Sequence, residues 1–186
     1  MKFHVGDLMS APDDIGSDCD LVYTDPPWED RMVSWFGTAS AKAGGPRQSA
    51  NINQILERFF DLCPSDVPVF VEYGVVGYEK VISRGISAGY NLCRIIEGIQ
   101  TTRNPYVILQ FNSDLPASAS KPVGFEILDQ VLWHHKPKHI FEPFAGLGKH
   151  AARMVRFGAS VSMCELNPAR AERAKRKLSG LGCVFD

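Results

Sequence analysis

The chain has 186 residues, of which 45% are hydrophobic and 22% charged, and its formal net charge is −1. That length holds one domain with a real core and is too short for two, and the composition excludes a disordered chain. The balanced charge lacks the basic surplus of an autonomous DNA binder, while leaving room for a local basic face.

Residues 1–7 do not follow a signal-peptide pattern, and no apolar run approaches the ~20 residues of a membrane helix. Residues 20–24, 68–72, 106–111, 139–142 and 160–164 are short, nearly continuous apolar runs, which predict strands buried on both faces of a mostly parallel sheet. Between them, Ile52, Ile55, Leu56, Phe59 and Phe60 fall on one face of a helix. Phe125, Leu128, Val131 and Leu132 form a second stripe. A third helix is expected over 149–157, ended by Gly158. A fourth is expected from Asn167 as cap and Pro168 in the first turn to about Leu178. Residues 29–50 and 112–123 are expected to be loops. Alternating strands and helices predict an α/β sandwich with helices on both faces of the sheet. Cysteines 19, 63, 93, 164 and 183 form no Cys-x-x-Cys pair; reduced thiols and a cytoplasmic location are expected.

Two motifs carry chemistry. Phe144-Ala145-Gly146-Leu147-Gly148 follows a strand and opens a helix, where glycines let the backbone approach a ligand and the helix start offers N–H groups. Glu165 ends the next strand, placed to accept the ribose hydroxyls of a nucleotide-like cofactor. A tight turn beside a surface glutamate would have the same spacing. The other motif, Asp25-Pro26-Pro27-Trp28, closes the strand over 20–24. Two prolines stiffen the turn and remove two donors. That leaves a carboxylate and carbonyls to accept the N–H groups of a planar amine, and an indole to stack on its ring.

With these motifs in this order, acceptor before cofactor, the chain resembles the permuted, beta-group DNA amino-methyltransferases, which act on adenine N6 or cytosine N4. The resemblance covers nearly the whole chain. It implies a Rossmann-like fold with a mixed seven-stranded sheet, S-adenosyl-L-methionine as cofactor and DNA as partner, RNA being the alternative. Residues 1–111 would form the acceptor half and 121–186 the cofactor half of a single domain. Asp25, Pro26, Pro27 and Trp28 would be catalytic. Asp7 resembles the acidic residue near the cofactor adenine, and Lys121 the lysine of a Lys-Pro pair at the methionine end. Phe144, Gly146, Gly148, Glu165 and Asn167 complete the implied cofactor set, with no metal. Lys149-His150 stands where the family commonly has small hydroxyl residues. Trp28 replaces a more usual tyrosine and is shared with the adenosine-N6 methyltransferases of messenger RNA. No separate target-recognition domain fits in the chain, which implies a loosely read site, a homodimer or an accessory recognition subunit.

Other residues have weaker claims. His134 and His135 point about 100° apart on a helix and cannot share a metal. The basic run Arg170, Arg173, Lys175, Arg176 and Lys177 reads first as a solvated face. Arg103 is a candidate phosphate contact. Trp35, Phe36, Lys42 and Arg47 suit a flipped base or a flexible lid. Against the adenine-N6 enzyme stand a cytosine-N4 enzyme, an RNA or protein-amide methyltransferase, and a silent subunit of the same fold.

Overall fold

The computed structural model describes residues 1–99, 104–113, 115 and 121–185. Arg103 and much of the 112–123 segment lie outside the described residues. The strands are β1 (Phe3–Val5), β2 (Leu21–Thr24), β3 (Val69–Gly74), β4 (Leu92–Ile99), β5 (Pro105–Phe111), β6 (His139–Glu142) and β7 (Ser160–Glu165). The helices are α1 (Asp30–Lys42), α2 (Ile52–Asp61), α3 (Glu79–Ser87), α4 (Glu126–His135), α5 (Lys149–Phe157) and α6 (Pro168–Ser179).

The strands form one sheet in the order β1-β7-β6-β2-β3-β5-β4. The pairs from β1 through β3 are all parallel, and β5 runs antiparallel to both β3 and β4. From the centre the chain moves outward from β2 to β3 on one side and from β6 to β7 on the other, with β1, the first strand, at the edge beyond β7. The β6/β2 boundary is therefore a topological switch point, where the crevice beyond the strand ends takes ligands in open α/β sheets.

Helices cover both faces. Val33 of α1, the stripe of α2 and Val81 of α3 pack with Val22, Val69, Val71 and Tyr73 on one face. Helices α4, α5 and α6 pack with Leu21, Tyr23, Phe70, Ile108 and Ile140 on the other. Alternation along each strand decides the face, and it works at single-residue resolution here. The α2 stripe is buried at all five predicted positions, and each such side chain contributes about 1.5–3 kcal/mol. Asn51 and Gln54 close that helix with a reciprocal capping box. The Asn167 side chain accepts from the Ala169 and Arg170 N–H groups to start α6.

The 29–50 stretch is not a loop throughout, because its first part forms α1. That helix buries Val33, Gly37 and Ser40, spaced for one face but too small to read as an apolar stripe. A Cβ on Gly37 would lie 2.9 Å from the Gln48 backbone nitrogen, so the helix packs closely on the chain that follows it. Helix α3 and strands β1 and β4 are further elements that the apolar pattern does not announce.

Candidate active site

Three strand ends supply the site. Strand β2 stops just before Asp25, β6 just before Pro143 and Phe144, and β7 at Glu165. A cleft of about 430 Å³ opens above them at the switch point. Its walls include Asp25, Pro26, Pro27 and Trp28 on one side, Phe144 and Gly146 in the middle, and Glu165 and Asn167 on the other. Met32, Val33 and Phe36 of α1, with Gln48, close it from above. The two motifs, more than a hundred positions apart in sequence, thus share one cavity.

On the acceptor side, the Trp28 indole N–H donates to Asp25 Oδ1 at 3.0 Å. The indole rests on Gly74, where a Cβ would come within 2.7 Å of Trp28 Cε3. The Tyr73 hydroxyl donates to the Trp28 carbonyl, so that carbonyl is taken up by the protein itself. Burial raises the Asp25 carboxyl above the ordinary range. The His150 charge and the Trp28 hydrogen bond oppose that rise, and the Glu142 charge adds to it.

On the cofactor side, Glu165 Oε1 accepts from the Asn167 N–H at 2.8 Å. Burial lifts this carboxyl, while the Asn167 amide, the Arg170 charge and the Gly146 amide hold it down. Gly146 has φ +54°, in the left-handed region, and a Cβ there would meet no atom within 4 Å. The backbone is therefore bare where the cleft runs past it. Arg170 lies over the Phe36 and Trp35 rings at 4.8 and 5.6 Å, which fixes one residue of the basic run against α1.

Three residues named from the resemblance sit away from the wall. The Asp7 carboxylate accepts from the Met9 N–H and, at 2.8 Å, from the Gln48 side chain, while its neighbours Gly6 and Leu8 line the cleft. Gly148 caps α5 at φ +64°, and a Cβ on it would stand 3.0 Å from Ala174 Cβ; its role is the close packing of α5 on α6. Lys121 does not line the cleft: it is exposed and ion-paired with Glu97 of β4. The physical reason is local. The Pro122 carbonyl accepts from Ile99 N and the Gly124 N–H donates to Ile99 O, which ties this segment to the end of β4.

Sequence reasoning missed the groups packed around Tyr23, two residues before Asp25. His150 is flanked by Glu142, with Nδ1 3.3 Å from Oε1, and by Glu72, with Nε2 3.6 Å from Oε1. The Tyr23 hydroxyl donates to Glu72 Oε1 at 2.5 Å. A signal existed: Glu72 and Glu142 are acids inside apolar strand runs buried on both faces, where an ionisable side chain needs a partner. Burial alone would push His150 toward neutrality, but Glu142 and then Glu72 and Asp25 outweigh it and lift it to about 9. Burial lifts Glu72 to about 7, with Asp25 adding and His150 and Tyr23 opposing.

These features define the class of fold: a Rossmann-like sandwich with a mixed seven-stranded sheet, in the permuted strand order found in methyltransferases. Solved structures share it. TTHA0409 from Thermus thermophilus, assigned as a DNA modification methylase, is 16% identical with TM-score 0.68, over 100% of this chain and 98% of that one. M1.HpyAVI in complex with S-adenosyl-L-methionine is 11% identical with TM-score 0.66, over 95% and 98%. The PvuII DNA methyltransferase, cytosine-N4-specific, is 12% identical with TM-score 0.60, over 94% and 85%. No family model matches the chain, and no curated protein matches it in sequence.

Proposed function

We propose that the chain is an S-adenosyl-L-methionine-dependent methyltransferase acting on the exocyclic amine of a base in DNA, adenine N6 first. The observation that carries this reading is the convergence of the Asp25-Pro26-Pro27-Trp28 turn and the Gly146–Glu165 pair on one cleft. The cofactor fits the residues present. Gly146 leaves open ground for a ligand, and Glu165 is anchored through one oxygen by the Asn167 amide, in a cavity within the usual size range for small-molecule sites. Glu165, Asn167, Gly146 and Phe144 would hold it, and it supplies an electrophilic methyl group on a sulfonium. The PvuII DNA methyltransferase and the assignment of TTHA0409 as a DNA modification methylase, both of the same fold, support the substrate class.

The chain's own residues do the rest. Asp25 accepts an N–H of the base amine and so turns the nitrogen toward the methyl carbon, while Trp28 offers a plane for the base. The nitrogen would take the methyl carbon as that carbon's bond to the sulfonium sulfur breaks, leaving a neutral thioether, and the amine would release one proton to water. Positioning and fixed electrostatics supply most of the acceleration in such a site. Incubation with the labelled methyl donor and DNA or RNA, then digestion and mass spectrometry, tests this. N6-methyladenine in DNA is expected. N4-methylcytosine or methylated RNA would move the assignment to that acceptor, and absence of any methylated base would end it.

A further inference from the structure

We propose that His150 is a positioning residue for methyl transfer: clamped between Glu142 and Glu72 and set against Tyr23, two residues before Asp25, it holds Asp25 as the anion that accepts the amine N–H. This rests on the acceptor role given to Asp25 above.

The placement follows from the sheet. Tyr23 of β2, Glu72 of β3, Tyr106 of β5 and Glu142 of β6 all fall on the face covered by α4 and α5, by strand alternation. Asp25 lies two residues beyond Tyr23. His150 in the first turn of α5 reaches down into this group, with its ring edge-on to Tyr23 at 5.6 Å and to Phe125 at 5.3 Å. From α4 the nearest charges are Glu126, which acts on Tyr106, and Asp129, which is bound to Arg153 of α5. The site therefore sets two buried carboxylates, Glu72 and Glu142, and the half-buried Asp25 against one imidazole.

Glu142 shows what this arrangement costs. It is fully buried, and neither carboxylate oxygen makes a well-formed hydrogen bond. A buried acid in that condition takes a proton unless a cation stands beside it, and His150 Nδ1 is beside it. The same cation acts on Asp25, whose carboxyl is otherwise pushed toward the neutral form by burial and by Glu142. A protonated Asp25 would present an O–H where the reaction needs an acceptor. Glu72 plays a different part: it holds the far side of the imidazole and shares a hydrogen bond with Tyr23.

The test uses the free protein first. In a histidine 15N titration, His150 should remain the imidazolium through pH 7; a neutral ring at pH 7 in the wild type overturns the proposal without any variant. Carboxyl 13C titration of Asp25 should move to higher pH in His150→Gln and not in Glu72→Gln, which disturbs the same packing but removes no cation. Equal movement in both variants, or none in His150→Gln, overturns the proposal. With the methyl donor and DNA, the acidic limb of kcat should move up in His150→Gln, costing about tenfold in rate per unit moved at pH below the limb, with the KM for the donor unchanged. These readouts separate the two ideas. An intact Asp25–His150 coupling in a protein that methylates no nucleic acid would sink the proposed function alone, while an active enzyme without the coupling would sink this inference alone.

Discussion

Asp25 and Glu165 line one cleft, and in the proposed function they answer to different partners, a difference that is measurable. Asp25→Ala is expected to abolish methyl transfer and leave donor affinity within a few-fold, because its partner is the acceptor amine. Glu165→Ala is expected to weaken donor binding by about 1–3 kcal/mol, the cost of a lost hydrogen bond to a charged group. Calorimetric titration of both variants, read beside turnover, checks the division; full turnover by the Asp25 variant would refute the acceptor role. The buried cluster makes a second prediction, on stability. Glu72 is raised from 4.5 to about 7 and His150 from 6.5 to about 9. A group with a raised folded-state pKa stabilises the fold fully below its unfolded value and loses that contribution as pH rises through the folded one. The melting temperature should therefore fall in two stages, between about pH 5 and 7 and again toward pH 9. Glu72→Gln should flatten the first stage, and an unchanged slope in that variant would locate the first titration elsewhere.

At the level of elements, legibility followed how apolar the buried side is. The runs that became β2, β3, β5, β6 and β7 were readable because both faces of each strand are buried. Strand β4 hid because its burial alternates along the sheet edge, with an irregularity between Leu92 and Arg94. Helix α3 buries only Val81 and Gly85, too few for a stripe. The motif residues were legible because each chemistry sits within one short segment. The His150 cluster was not, because its members come from β2, β3, β6 and α5 and meet only in the folded sheet. Helix α1 gives a prediction of its own. Gly37→Ala forces the helix away from Gln48 and should cost about 1–3 kcal/mol as overpacking, whereas Ser34→Ala on the exposed side should stay within about 0.5 kcal/mol. Urea titration of both variants compares them; equal stability would mean that the contact with Gln48 is easily relieved.

Across the whole molecule, the described residues go into the sandwich and its cleft. Sequence readout needs side chains delivered into a groove by a helix, a strand pair or a recognition domain, and a net charge of −1 gives little general pull on phosphates. We expect the isolated chain to methylate a short context loosely, or to need a second copy or another protein to hold the duplex. Single-molecule sequencing of treated DNA, beside a measurement of mass in solution, decides. Confinement to one long motif by a monomer at physiological salt would contradict this.

Helix α1 begins two residues after Trp28, yet its far end leans on the opposite side of the cleft: Ser40 Oγ donates to the Leu166 carbonyl at 2.9 Å, and Gly45 sits against Pro168. One helix therefore touches both sides of the cleft, and on the proposed reading a donor settled beside Glu165 is expected to bear on the angle at which the acceptor turn is held. Such a link would obey thermodynamic reciprocity: any factor by which the methyl donor tightened the grip on DNA would equal the factor by which DNA tightened the grip on the donor. Ser40→Ala should shrink both factors together, by the same ratio, while leaving each ligand's affinity alone nearly untouched. Titrations of each ligand in the presence and absence of the other would read this directly, and two affinities that stayed independent in the unaltered protein would show that the helix carries no signal.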